Sequence, residues 1–355
     1  MAQCVAGDPP KKLPSSLLEE PCAQALFGIL VEGLADRFEP DLCDAYARLF
    51  SQALCHADAS LDPMSLVARY ERVRQPRPVS GQPHRVFVLS RVTLGADVAV
   101  TSVLLAAAKL RFPGAEIVFV GPEKNQELFA GDLQLRHARL EYRRGSLADR
   151  LAAANELKRL VAEAGSLVID PDSRFTQLGL FPVCPDENYY FFESRAYGGS
   201  SDRSLPELAA DWAGETFSIR DPKPYISLAR VPDKAQTIAI SLGVGENPAK
   251  RIPDPFEAEL LRMLGATGLT LAIDKGAGGV EAERVERAIA ASGVKASVWD
   301  GSFAGFPAPR MFARWRPAGE HCRVIRVDHP DAHAILGRVR EALAAWSGNS
   351  LRVEA

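Results

Sequence analysis

Arg85-Val86-Phe87-Val88-Leu89-Ser90 is followed by Gly95, by an Ala/Val/Leu-rich stretch over 98–110, by Phe112-Pro113-Gly114 and by Glu116-Ile117-Val118-Phe119-Val120-Gly121. This reads as an apolar run of buried-strand length, a glycine turn, a helix, a stop and a second buried strand. Strand, turn, helix and strand within about 35 residues make a βαβ unit, and strands joined this way run parallel. A helix over 147–164 and the apolar run Ser166-Leu167-Val168-Ile169-Asp170 extend the pattern, so a first α/β domain is expected over 84–225. The alternation restarts at Thr237-Ile238-Ala239-Ile240-Ser241-Leu242. A helix over 255–264, a strand over 269–274, a helix over 280–292, a strand over 295–299 and a closing amphipathic helix over 331–346 complete a second α/β domain over 226–355.

Upstream of the first strand the pattern differs. Residues 1–15 are polar and proline-rich without a period and are expected to be disordered. Ala25, Leu26, Ile29, Leu30 and Leu34, then Leu42, Tyr46, Leu49 and Phe50, then Leu66, Val67 and Tyr70 recur at helical spacing. Asp62-Pro63 supplies a cap and first-turn pair for the last of these helices. Residues 75–83 carry three prolines and no period and read as a linker, so 1–83 form a disordered start, a helical extension and a Pro-rich linker.

The 355 residues are 47% hydrophobic and 25% charged, enough for two full cores. A net charge of -3 with scattered Lys and Arg argues against nucleic-acid partners. Cys4, Cys22, Cys43, Cys55, Cys184 and Cys322 form no C-x-x-C pair, which argues for reduced thiols rather than disulfides or a structural zinc site. No signal-like segment opens the chain and no run of about 18 apolar residues crosses a bilayer. A cytoplasmic location is expected, with room for peripheral contact with a membrane surface.

Four segments can carry chemistry. In Ser90-Arg91-Val92-Thr93-Leu94-Gly95-Ala96-Asp97-Val98 a strand passes into a helix, whose free N–H groups can hold an anion or polar ligand. Asp97 there can accept a proton from a hydroxyl or cap the helix, and the residues alone leave both open. In Ser241-Leu242-Gly243-Val244-Gly245-Glu246-Asn247-Pro248-Ala249-Lys250-Arg251, Gly243 and Gly245 allow close backbone approach, and Lys250 and Arg251 can neutralise a diphosphate. The bland alternative is a loop with solvated charges. Arg310 and Arg314, set among aromatics, can clamp a phosphate or simply be solvated. Asp170-Pro171-Asp172-Ser173-Arg174 follows a strand and should face a cleft, while Tyr189-Tyr190-Phe191-Phe192 reads partly as core. In Asp328-His329-Pro330-Asp331-Ala332-His333 a helix cap is favoured over a metal site, so no metal is expected.

Arg91, Thr93, Leu94, Gly95, Asp97, Thr101, Leu104 and Leu105, followed by Lys109-Leu110-Arg111-Phe112-Pro113-Gly114-Ala115-Glu116-Ile117, resemble the opening segments of glycosyltransferase family 9, the heptosyltransferase-like enzymes. The Gly243–Arg251 segment and Gly276-Ala277-Gly278-Gly279 resemble that family's donor-side loops. The resemblance implies a GT-B fold: two Rossmann-like, doubly wound domains facing a cleft, here with a helical N-terminal extension. It implies Asp97 as catalytic base and Arg91, Thr93, Gly95, Asp170 and Arg174 as acceptor-side contacts. Gly243, Gly245, Lys250, Arg251, Arg310 and Arg314 would lie on the donor side. A nucleoside-diphosphate sugar would be the donor, a glycan or glycolipid the acceptor, and no cofactor is implied.

Two departures stand out. Ala96 separates glycine from aspartate, and one extra helical residue rotates the side chains after it by about 100°. The family's D-[ST]-x-x-x-H is missing, and Trp299-Asp300-Gly301-Ser302-Phe303 runs directly into Ala304-Gly305-Phe306-Pro307, as if roughly 40 residues of the second domain were absent. A non-catalytic binding protein derived from such an enzyme, or a UDP-sugar epimerase of the same fold, are the competing readings.

Overall fold

The computed structural model describes residues 10, 12–14, 18, 23–142, 146–229, 237–242, 251–274, 279–299, 314, 325 and 331–350. The chain divides into two compact units, Met1–Val231 with Ala313–Ala318, and Pro232–Phe312 with Gly319–Ala355. The helical extension therefore belongs to the first unit.

The first unit is built on a five-stranded parallel sheet: β1 (Arg85–Leu89), β2 (Glu116–Gly121), β3 (Leu135–Arg139), β4 (Ser166–Asp170) and β5 (Tyr189–Phe191), in the order β3-β2-β1-β4-β5. Order reverses between β1 and β4, which is the topological switch point of a doubly wound sheet. Both faces are covered, as a parallel sheet requires. Phe87, Leu89, Val118, Val120 and Val168 join the extension's Leu30, Leu34, Tyr46, Phe50 and Leu54 in one core cluster.

That extension contains a short helical segment (Ala23–Leu26, widening into a π-type turn over Phe27–Glu32), α1 (Pro40–Ala57) and α2 (Pro63–Val73). The Asp62 carboxylate accepts the Ser65 N–H as the expected cap, at 2.7 Å. The Pro-rich stretch that reads as a linker is docked on the first unit. Arg77 donates to the carbonyls of Asp186, Glu187 and Tyr189 and lies 4.2 Å over the Tyr190 ring, while the Val79 N–H donates to the Thr216 carbonyl.

The helix after β1 starts at Leu94–Ala96, widens into a π-type turn at Asp97–Thr101 and continues as α3 (Ser102–Arg111). The Ser102 N–H bonds the Asp97 carbonyl, five residues back. A π-type turn absorbs one extra residue, which is how Ala96 is accommodated without turning the rest of α3 out of register. α4 (Leu147–Leu160) and α5 (Leu205–Phe217) start with capping boxes at Ser146/Asp149 and Ser204/Glu207.

The second unit holds a three-stranded parallel sheet, β6 (Thr237–Ile240), β7 (Thr270–Asp274) and β8 (Ala296–Trp299), with β7 in the centre. α6 (Phe256–Gly265) and α7 (Val280–Ser292) pack with β6 and β7 around Leu261, Leu264, Leu271, Ile273 and Val285, and α8 (Ala332–Ser350) adds Leu343. Asp331 caps α8, its carboxylate accepting the His333 and Ala334 N–H groups. The junction at 300–307, where the second domain reads as shortened, lies outside the described residues. No helix among the described residues is long and apolar enough to cross a membrane.

Candidate functional site

The carboxyl ends of β1 and β4 gather the first unit's buried charge. Asp97 is 0% exposed. Its Oδ1 accepts the Arg91 N–H at 2.7 Å and the Thr101 hydroxyl at 2.6 Å; its Oδ2 accepts the Ser90 hydroxyl at 2.6 Å and the Asn125 amide at 2.5 Å. Burial raises its pKa above the ordinary carboxylate value, while these four donors oppose that rise. Neither expectation for Asp97, a base facing a cleft or a cap on the helix, matches this placement. The carboxylate is turned inward and ties β1, the π-type turn and the segment after β2 together.

Asp170 is corrected in the same sense. It is fully buried, accepts the Thr176 and Tyr189 hydroxyls at 2.5 Å and the Ser173 N–H at 2.6 Å, and burial pushes it up to about 6. Tyr189, Tyr190, Phe191 and Phe192 are all buried, so the whole aromatic run is core rather than an acceptor platform.

Between these two carboxylates lies an ionic cluster. Asp172 pairs with Arg195, accepts the Ser194 hydroxyl at 2.9 Å and stands 3.9 Å from Arg91. Burial lowers Arg91 to about 10, and the nearby Arg195 charge acts in the same direction. Asp36, from the extension, accepts from Arg174 at 2.7 Å and from Arg195 at 2.8 Å. Burial works against the ionised form of Asp36, yet the two guanidinium groups outweigh it and hold the carboxyl at about 2. Arg174 is thus engaged with a carboxylate of its own chain. Close by, Glu193 accepts from Tyr70 and, at 2.8 Å, from Arg74, and burial raises it to about 7.

Backbone strain collects at the same ends. Val92, Asp172, Gln177 and Leu178 have φ values of 64°, 72°, 49° and 57°, all left-handed. A β-branched residue there is an outlier, and such strain persists only where the surroundings over-determine it. Thr93, Leu94 and Gly95 are exposed and open the helix, leaving its first N–H groups accessible. A cavity of about 470 Å³ lies elsewhere, at the amino end of β4, lined among others by Lys158, Glu163, Cys184 and Asn188.

In the second unit Gly243, Gly245, Lys250 and Arg310 lie outside the described residues. Arg251 is paired with Asp254 and lies 3.5 Å from Glu257. Glu257 meets Arg284 at 3.1 Å, and Arg284 donates to the Leu242 carbonyl, so the end of β6 and the starts of α6 and α7 are joined. Asp274 ends β7 and is 2% exposed.

Arg314 requires a further correction. It is buried in the first unit, where its guanidinium donates to the carbonyls of Gly199 at 2.8 Å and Arg203 at 3.2 Å. It anchors a loop instead of reaching a donor phosphate.

The chain is similar in structure to family 9 glycosyl transferases. The family 9 protein from Veillonella parvula aligns over 61% of this chain and 69% of its own, at 18% identity and a TM-score of 0.47. The E. coli heptosyltransferase solved with ADP aligns over 61% and 76%, at 16% identity and a TM-score of 0.41. E. coli ADP-heptose LPS heptosyltransferase II aligns over 61% and 72%, at 17% identity and 0.42. No family model matches the chain, and no curated protein matches it.

Sequence reasoning missed Asp36 and Arg195 as members of the ionic cluster, and Asn125 as a partner of Asp97. Asp36 lies 138 residues from Arg174 and 159 from Arg195 in sequence, so no local spacing could pair them. Asp274 carried a usable signal: an acid placed immediately after a buried strand.

Proposed function

We propose that the chain binds a nucleoside-diphosphate sugar at the carboxyl edge of its second sheet and transfers the sugar to a hydroxyl of a glycan or glycolipid. One observation carries the reading. Each unit is a parallel α/β layer with charged groups at its strand carboxyl ends, in the segments whose sequences resemble family 9 enzymes. Arg251, with Lys250 and the glycines Gly243 and Gly245, would meet the diphosphate, exchanging the Asp254 partner for phosphate oxygens. Fixed cations there stabilise charge that grows on the leaving group. The exposed Thr93-Leu94-Gly95 turn would meet the acceptor. The substrate carries the reactive bond, so no resident cofactor or metal is part of the proposal.

The burial of Asp97 favours a second reading, a binding protein that has lost transfer. Calorimetry with ADP-, GDP- and UDP-sugars, followed by a nucleoside-diphosphate release assay, separates the two. Binding with acceptor-dependent release is expected. Binding without release leaves the binding protein, and no binding by any nucleotide sugar overturns both.

A further inference from the structure

Arg251 has one exchangeable partner and one fixed partner. The far end of its guanidinium pairs with Asp254, whose side chain is 78% exposed, so that contact can give way to another anion at little cost. Its Nε is shielded from solvent and stands 3.5 Å from a carboxylate oxygen of Glu257, whose side chain is 7% exposed. Glu257 lies in the first turn of α6, where the helix dipole favours an anion. A second cation fixes it there: Arg284 of α7 stands 3.1 Å from the same oxygen, is itself buried and donates to the Leu242 carbonyl at the end of β6.

Two effects of Glu257 on a bound diphosphate oppose each other. Its charge repels phosphate oxygens. Its grip on Nε fixes a long, rotamer-rich side chain before the ligand arrives, which lowers the entropy lost on binding. Arg284 decides between them. It neutralises Glu257 at 3.1 Å, so the repulsion felt by the ligand is small while the grip remains. We propose that Glu257 is a positioning residue that holds the Nε side of Arg251, with Arg284 as its own anchor, and so presents the terminal guanidinium nitrogens to the diphosphate. The inference rests on the nucleotide reading above.

The test titrates the full chain, Glu257→Gln, Arg251→Gln and the double variant with ADP, GDP and UDP by calorimetry. Gln keeps the shape of Glu257 and removes the charge that holds the guanidinium. Glu257→Gln should weaken the nucleotide that binds best by about tenfold and should cost nothing further once Arg251 is replaced, as neighbours acting as a unit do. Tighter or unchanged binding by Glu257→Gln would mean that its charge only repels the phosphates, and overturns the inference alone. A loss of the same size in the Arg251→Gln background would reveal a purely structural role, and also overturns the inference alone. Should Glu257→Gln fail to fold, because Arg284 has lost its counter-charge, combining it with Arg284→Met removes both buried charges. That pair should show the same loss and the same dependence on Arg251, and wild-type affinity in it overturns the inference. Binding that Arg251→Gln leaves unchanged overturns the place of Arg251 at the diphosphate and the inference with it. No binding by any nucleotide overturns the donor reading as well.

Discussion

Asp97→Asn separates a structural carboxylate from a catalytic one. The Arg91 N–H is backbone and cannot turn away, so the remaining oxygen of the amide stays with it and with the Thr101 hydroxyl. The new NH2 then faces the Ser90 hydroxyl and the Asn125 amide, both of which donate to the carboxylate. Asn125 can present its oxygen by flipping. The Ser90 oxygen already accepts the Val92 N–H at 2.8 Å, so rotating its hydroxyl leaves a buried donor unmet. One or two orphaned donors cost about 2–4 kcal/mol. For a unit of this size that lowers the melting temperature by about 4–16 °C, at about 2–4 °C per kcal/mol. Differential scanning calorimetry of the full chain, read on the first unit's transition, measures it. A variant melting within about 1 °C of the parent, yet losing transfer, would refute the interior placement and restore Asp97 as base.

Asp36→Asn removes the shared partner of Arg174 and Arg195, and urea unfolding should show a loss of about 3 kcal/mol at neutral pH. The depressed Asp36 value means that this contribution is present above about pH 4 and fades as pH falls toward about 2, so the difference between parent and variant should shrink in that window. Glu193 has the opposite sign. Its carboxyl rises from 4.5 to about 7, so between those values the folded chain holds a proton that the unfolded chain has lost. Stability should therefore fall by about 3 kcal/mol as pH rises through that range, and Glu193→Gln should flatten the profile in urea titrations. Gly179→Ala places a methyl 2.5 Å from the Phe191 ring at φ 84°, and a loss of about 2–4 kcal/mol in urea unfolding is expected.

The layered α/β pattern was legible because parallel strands covered on both faces are continuous apolar runs: β1, β2 and β4 announce themselves. β3 was not, because Leu-Arg-His-Ala-Arg is an edge strand with exposed arginines and no apolar run. β5 is three residues long and hidden in an aromatic stretch whose burial depends on Tyr70, Trp212 and Phe217 from distant helices. The junction at Asp97 was legible as a strand-to-helix turn carrying a carboxylate, but the burial of that carboxylate was not. A strand end and a helix start say that a carboxylate will be there; only Asn125 and Thr101 say that it is enclosed. Arg314 read as a phosphate ligand because its own neighbourhood is basic and aromatic, whereas its actual partners lie more than a hundred residues upstream.

Hydrogen–deuterium exchange with and without a bound nucleoside diphosphate tests the central claim most directly, that the second sheet's carboxyl edge is the ligand-binding edge. Slowed exchange in the peptides covering 237–299, with 85–111 and 166–195 unchanged, is the expected result. Protection confined to those first-unit segments, or none at saturating nucleotide, would contradict it.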